Sequence, residues 1–178
     1  MKRVLVIGGC GAGKSRFSAE LSRITGLPLV HLDVLGWEGE WQKVSHAEFD
    51  RRLDEVLKED AWVIDGNYAR TIPRRLERAD TVFWLDFSGI RCLRGVLERF
   101  IRNRGGTRED MGGNCRETLD RERLAFFRYA LTQNKKIRPK IREALAAHPE
   151  VPVTVVKTRK EADKLLERLR EEASHGME

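Results

Sequence analysis

Apolar residues in this chain fall into short runs, separated by stretches in which they recur at helical spacing. Each run is five or six residues long and is bounded by polar residues or glycine. Runs of this kind are typical of strands that are buried on both faces. They predict five strands, at 3–7, 28–32, 61–65, 81–86 and 151–156.

The stretches between the runs predict amphipathic helices at 15–25, 45–57, 73–78, 90–104, 117–147 and 160–173, the fifth with a break at Pro139. Gly26 is placed to end the first helix, and Ser45 with Glu48 forms a capping-box pattern at the start of the second. The segment 33–44 is predicted to be a polar loop. Strands that alternate with helices predict an α/β fold whose parallel sheet is covered on both faces.

Composition narrows the class of protein. The 178 residues suit one domain, 1–178, and the mean hydropathy is -0.51. No apolar run approaches the roughly 20 residues that span a bilayer, so no membrane association is expected. Three cysteines without a CxxC pair argue against a zinc ribbon or a disulfide framework and favour a reducing, cytoplasmic location.

The first strand runs directly into a glycine-rich motif that carries the strongest chemical signal. The segment 8–15, GGCGAGKS, matches GxxxxGK[ST] between a predicted strand and a predicted helix. Glycines let the backbone amides approach a phosphate closely, and the helix N-terminus adds favourable partial charge. The motif predicts nucleoside triphosphate binding by Gly8, Gly9, Cys10, Gly11, Ala12, Gly13, Lys14, Ser15 and the adjacent Arg16, with Lys14 also catalytic.

Aspartates follow three of the predicted strands, at the sheet edge where parallel α/β folds bind ligands. Asp65 has the pattern expected of a residue that holds Mg²⁺ together with Ser15. Asp33 could orient or deprotonate an acceptor hydroxyl. For Asp86, capping the helix that begins near Ser88 is the favoured interpretation.

Two further features of the predicted sheet edge leave alternatives open. His31 is interpreted as a packed, hydrogen-bonded histidine in preference to a catalytic one. Trp37 and Trp41 either stack on an acceptor or pin their loop to the core, and the sequence does not decide between these.

The excess positive charge is concentrated in one segment. Residues 91–142 contain 15 basic and six acidic residues, whereas the whole chain carries a net charge of +6. A basic field implies an anionic partner. Glycine pairs at 105–106 and 112–113 and the nearby arginines suggest a segment that closes over a nucleotide, with Arg99, Arg102 and Arg108 on the transferring phosphoryl group. The rival interpretation is a nucleic-acid surface.

Taken together, these motifs resemble the adenylate-kinase-like P-loop kinases, and more narrowly the bacterial group labelled topology modulation protein. The similarity covers nearly the whole chain. It rests on the segments 8–15, 31–37 (HLDVLGW), 62–68 (WVIDGNY), 79–82 (ADTV) and 102–115. The phosphate motif is common to many nucleotide-binding proteins, whereas 31–37 and 62–68 together are far more specific.

The resemblance implies a three-layer α/β/α sandwich with a five-stranded parallel sheet, an acceptor-binding region at about 33–58 and a lid at about 102–123. It implies that Asp65, Gly66, Asn67, Tyr68 and Arg70 contact the acceptor together with Asp33, Trp37 and Trp41. Arg70 takes the place of the acceptor-phosphate arginine of adenylate kinases. The neighbouring Phe-Pro of that family is replaced by 67–69 (NYA), so adenylate kinase activity itself is not expected.

The expected function is transfer of the γ-phosphoryl group of ATP, with Mg²⁺, to a small molecule that bears a hydroxyl or to a nucleoside or nucleotide. The alternative is a nucleotide-gated regulator that binds nucleic acid through residues 91–142 and affects DNA topology. That alternative is less favoured, because no nucleic-acid-binding module is recognisable and few aromatic residues interleave with the arginines.

Overall fold

The computed structural model describes residues 1–38, 42–102 and 121–175. In chain order the elements are β1 (Arg3–Gly8), α1 (Lys14–Thr25), β2 (Leu29–His31), α2 (Leu32–Gly36), β3 (Trp37–Glu38), β4 (Gln42–Lys43), α3 (His46–Lys58), β5 (Trp62–Asp65), a 3-10 turn (Ala69–Thr71), α4 (Ile72–Leu76), β6 (Thr81–Leu85), α5 (Gly89–Arg102), α6 (Arg121–Thr132), α7 (Asn134–Ala146), β7 (Val153–Val156) and α8 (Arg159–His175).

The five predicted strands form one sheet in the order β2-β5-β1-β6-β7, and every neighbouring pair is parallel. Val6 of β1 pairs with Asp65, and Gly8 pairs with Leu85. The carboxyl ends of the three central strands therefore meet at one edge of the sheet, as predicted.

Side chains alternate between the two faces of the sheet and build two cores, because successive residues of a strand point to opposite sides. Leu5, Ile7 and Trp84 pack with α3, α4 and α7 on one face. Val4, Val6 and Phe83 pack with α1, α5 and α8 on the other. The predicted α/β/α sandwich is confirmed.

Local signals explain two helix ends. Gly26 ends α1 with φ 70° and donates its N–H to the Ser22 carbonyl at 2.8 Å, as a glycine cap does. The Ser45 hydroxyl accepts the Glu48 N–H at 3.1 Å and begins α3. No helix in the described part of the chain is both long and apolar enough to cross a membrane.

Two predictions about local structure are wrong. The segment 33–44 is not simply a loop, because α2 and the β3-β4 hairpin occupy most of its described residues. The long helical region is not broken at Pro139, which lies inside α7; it divides into α6 and α7 at Gln133, whose own backbone stays helical. Pro139 and Lys135, whose carbonyl loses its intrahelical partner, are both exposed, so water can replace the missing hydrogen bond.

Candidate functional site

The loop from Gly8 to Ser15, called the phosphate loop below, turns tightly between β1 and α1. Gly11 and Gly13 have φ values of 78° and 85°, in the left-handed region that favours glycine. A β-carbon on Gly11 would collide with the Cys92 carbonyl oxygen, whereas one on Gly13 would meet no atom within 4 Å. Gly11 is thus required by packing and conformation, and Gly13 by conformation alone.

Lys14 and Ser15 form the first turn of α1, so both lie at the positive end of the helix. The Lys14 ammonium donates to the Gly9 carbonyl at 3.1 Å and is therefore folded back over the loop. The Ala12 N–H also donates to Gly9, at 3.2 Å, and this bond closes the turn. Arg16 points away, since its guanidinium pairs with Asp163 of α8 at 3.0 Å.

Helix α5 supports the phosphate loop from outside. A β-carbon on Gly95 would collide with the Gly11 carbonyl, so the helix and the loop touch through their backbones. Cys92 is fully buried beside the loop, and this burial raises the pKa of its thiol to about 11. The thiol therefore acts as packing and not as a nucleophile.

Asp65 ends β5 and is almost fully buried, with 4% of the residue exposed. One oxygen lies 2.9 Å from His31 Nδ1 at the end of β2, and the other is buried with no hydrogen-bond partner among the described residues. A buried carboxylate oxygen that lacks a partner is costly. His31 is hydrogen-bonded, as interpreted from the sequence.

Arg75 is the one fully buried arginine among the described residues, and no motif or spacing in the sequence marked it. It donates to the carbonyls of Thr71, Gly66 and Asn67, the second at 3.0 Å. Burial lowers the pKa of its guanidinium to about 9, and the Asp65 carboxylate opposes that shift. Arg75 therefore fixes the turn after β5 and places a positive charge behind Asp65.

The turn after β5 is tied to the phosphate loop. The Gly66 N–H donates to the Val6 carbonyl at 3.2 Å, and the Asn67 side-chain oxygen accepts the Gly8 N–H at 2.9 Å. Gly66 has φ 126°, and a β-carbon there would lie 2.8 Å from that of Leu32. Two predicted site residues, Gly66 and Asn67, thus connect the ends of β5 and β1.

Tyr68 brings α2 and α3 together. Its ring stacks on Phe49 at a centroid distance of 4.6 Å, and its hydroxyl lies so close to Gly36 that no side chain fits there. Burial, followed by the charge of Asp33 and a hydrogen bond to it, raises the pKa of Tyr68. The structure therefore places Asp33 beside Tyr68. The strand β2 ends at His31, so Asp33 lies in the first turn of α2 and not at a strand end.

Pairs that involve charged side chains also lie on the side of the site formed by α2, α3 and the hairpin. Arg70 forms a two-bond pair with Asp50 of α3 at 2.8 and 2.6 Å, which lowers the pKa of Asp50. Lys43 lies over the Trp37 ring at 5.0 Å. Trp37 is half-buried in the hairpin, whereas Trp41 lies outside the described residues.

The predicted lid is described only at its ends. Arg99 is half-buried, and Arg102 is the exposed last residue of α5. They lie about 6 and 10 Å along the helix axis from Gly95, at 1.5 Å per residue. Arg108 and the rest of 103–120 lie outside the described residues.

Asp86 does not cap α5, because the Ser88 hydroxyl accepts the Arg91 N–H there at 3.4 Å. Asp86 instead pairs with Arg138 of α7 at 2.5 Å. Arg138 belongs to the basic segment 91–142. No local signal in the sequence marked it as the partner of Asp86, because the two residues are 52 positions apart.

Comparison with protein-family models and with curated proteins found no match. Solved structures do match. Shikimate kinase from Acinetobacter baumannii in complex with shikimate has 15% identity and a TM-score of 0.59, over 100% of this chain and 96% of that one. Deoxyadenosine kinase from M. mycoides with bound dATP has 14% identity and a TM-score of 0.56, over 93% and 98%. At such identities the likeness shows the fold alone, a parallel five-stranded sheet between two layers of helices.

Proposed function

We propose that this protein transfers the γ-phosphoryl group of ATP to a small-molecule acceptor. The observation that carries the proposal is the conformation of the phosphate loop. Gly11 and Gly13 adopt left-handed conformations in a tight turn, and the Lys14 ammonium lies across the loop. This is the arrangement that a phosphate chain requires.

The loop suits ATP on steric grounds as well. The space beside Gly13 is open, while Gly11 is closed in by Cys92 and Gly95 of α5. Phosphates would enter from the open side and meet the N-terminus of α1. Lys14 would then exchange the Gly9 carbonyl for phosphate oxygens.

Ser15 and Asp65 would hold Mg²⁺, Asp65 through water. The donor set fits, because Asp65 keeps one buried carboxylate oxygen that has no partner among the described residues. A Mg²⁺ ion held by these residues would neutralise negative charge on the nucleotide phosphates. His31 Nδ1 lies 2.9 Å from one oxygen of the Asp65 carboxylate and so orients it.

The acceptor would lie between α2, the β3-β4 hairpin and the turn at 66–70. Asp33, half-buried beside the Tyr68 hydroxyl, would accept the proton of an acceptor hydroxyl. Trp37, Gly66, Asn67 and Arg70 would line the site, and Trp41 would join them. The matched structures are of kinases with shikimate and with dATP bound, both small molecules.

Arg99, Arg102 and Arg108 would stabilise the charge that develops on the transferring group. Arg99 and Arg102 extend α5 beyond the residues that touch the phosphate loop. A segment that closes there would exclude water and strengthen these contacts. We propose 33–58 as the acceptor region and 102–123 as the lid of one domain.

We also propose membership of the topology modulation protein group, on the segments 31–37 and 62–68. The proposed cytoplasmic location rests on cysteine chemistry, because Cys10 and Cys92 are both free thiols.

The test is transfer of labelled γ-phosphate from Mg-ATP to a panel of nucleosides, nucleoside monophosphates and small hydroxylated acids. Lys14→Ala serves as the blank, and Lys160→Ala, an exposed lysine of α8, serves as the matched control. We expect phosphate transfer by the wild type and by Lys160→Ala, and no transfer by Lys14→Ala. Failure of the wild type to bind ATP would overturn the proposal.

A second candidate function is nucleic-acid binding, and one observation supports it. Six exposed cations lie on α6 and α7, and none of them forms an ion pair within the described part of the chain: Arg121, Arg128, Lys135, Lys136, Lys140 and Arg142. Binding through them would weaken steeply with salt, because phosphate contacts release counterions. Titration of labelled duplex DNA at two salt concentrations tests this candidate.

A further inference from the structure

The side chain of Gln133 makes an unusual contact with the phosphate loop. Gln133 lies between α6 and α7 and is 1% exposed. Its Oε1 accepts the Cys10 N–H at 2.8 Å, and its Nε2 donates to the Cys10 carbonyl at 3.2 Å. The same nitrogen donates to the Ala130 carbonyl at 3.0 Å. One buried amide therefore satisfies both backbone groups of Cys10.

This pattern copies the exchange of hydrogen bonds between two residues of an antiparallel ladder. It fixes the direction of both peptide bonds at Cys10, because each has a partner on a rigid support. A β-carbon on Gly9 would lie 3.2 Å from Nε2, so the approach is close. The cost of leaving such groups unpaired favours this one loop conformation.

The α6-α7 junction that contains Gln133 is itself held in place by hydrogen bonds and close contacts. The backbone of Gln133 is helical, since its N–H donates to Tyr129 at 2.7 Å and its carbonyl accepts from Ile137 at 2.9 Å. Asn134 donates to the Phe87 carbonyl at 2.7 Å. Gly89 lies so close to the Leu131 carbonyl that no side chain fits. The α6-α7 junction therefore holds a fixed place against the loops that follow β1 and β6.

We propose that Gln133 is a positioning residue for nucleotide binding. By holding the Cys10 peptide, it removes that N–H from the set of phosphate donors and aligns the amides from Gly11 to Ser15. It also links the phosphate loop to α6, the helix that directly follows the segment 103–120. This inference rests on the proposed nucleotide-binding function, but it concerns a residue that no motif in the sequence marked.

Hydrogen exchange in the wild-type protein tests the contact directly. We expect the Cys10 amide to exchange more slowly than the amide of Gly13, a residue that is exposed on the same loop. In Gln133→Met, which keeps the side-chain length but makes no such bonds, the Cys10 amide should lose its protection. Equal protection of the Cys10 amide in the two proteins would overturn the inference.

Mg-ATP binding, measured by calorimetry without an acceptor, tests the consequence. We expect Gln133→Met to raise the Kd about tenfold, as the loss of buried hydrogen bonds implies. The matched control is Ile137→Ala, one turn along, where the side chain packs on the core of the sheet. Ile137→Ala should lower the melting temperature at least as much as Gln133→Met does. It should leave the Kd for Mg-ATP unchanged.

The outcomes separate the two proposals. If the wild type binds no ATP, the proposed function fails. If it binds ATP and Lys14→Ala weakens binding, but Gln133→Met binds as the wild type does, the inference about Gln133 is overturned alone. An equal loss of affinity in Gln133→Met and Ile137→Ala would mean that Gln133 only stabilises the fold. That result would also overturn the inference about Gln133.

Discussion

The two sides of the proposed site are built in different ways. On the nucleotide side, the phosphate loop is shaped by its own glycines and by backbone contacts to α5 and the α6-α7 junction. On the acceptor side, α2, α3 and the turn at 66–70 are joined largely by charged and aromatic side chains, such as Arg70 with Asp50 and Tyr68 with Phe49.

This difference has a physical consequence. Backbone contacts at van der Waals distance leave little room for change, because interiors are packed as densely as crystals. Exposed ion pairs contribute little to stability and can exchange partners with a ligand. The nucleotide side should therefore tolerate few substitutions, and the acceptor side should accept many with altered specificity.

The largest expected effect is that of Lys14→Ala on turnover. Removing a charge aimed at the transferring group should lower turnover at least about a hundredfold. The melting temperature should change little, because Lys14 is only half-buried. Steady-state kinetics with the identified acceptor and a thermal melt of the same sample check both statements. Near-normal turnover in the folded variant would contradict the mechanism.

The next effect distinguishes two glycines of the same loop. Gly11→Ala adds a collision with the Cys92 carbonyl to left-handed strain and should destabilise by about 3 kcal/mol. Gly13→Ala carries strain alone and should destabilise by about 1 kcal/mol. Urea unfolding without nucleotide measures both. Equal losses of unfolding free energy in the two variants would mean that α5 moves to accommodate the added methyl group. The nucleotide side would then be less rigid than its backbone contacts imply.

A smaller effect is expected from Asp50→Asn on the acceptor side. It removes the carboxylate that neutralises Arg70 and leaves the shape of the side chain unchanged. The KM for an anionic acceptor should fall at most about fivefold, since the pair is largely exposed. Competition between charged and neutral acceptors checks the change. An unchanged preference would place Arg70 outside the acceptor site.

The smallest effect should come from Arg52→Gln. Arg52 pairs with Glu48 and Glu38 and so joins α3 to the hairpin. Hydrogen bonds from Arg51 and then Arg52 lower the pKa of Glu48 to about 2, yet Arg51 is exposed and both Glu48 and Arg52 are only half-buried. Salt screens such pairs. The melting temperature should fall less than in Gly13→Ala, and a larger loss would show that the acceptor side is as rigid as the nucleotide side.

Sequence patterns were sufficient wherever the signal was local. The five strands, the first helix and the phosphate loop were predicted because hydrophobic period and glycine spacing act within a few residues. Segment 33–44 was misjudged, because α2 and the hairpin are held by distant partners such as Tyr68 and Arg52. Pro139 was misjudged because an exposed proline can remain inside a helix.

The chain by itself determined the parallel sheet, the loop that would hold phosphates and the edge at which chemistry would lie. Only the tertiary structure decided which side chains meet there. His31 reaches Asp65 across 34 residues, and Gln133 reaches Cys10 across 123. Arg75 is buried with carbonyl partners that no spacing rule identifies. Such contacts depend on how elements pack, because burial makes an unpaired polar group costly and so selects a partner wherever the fold brings one near.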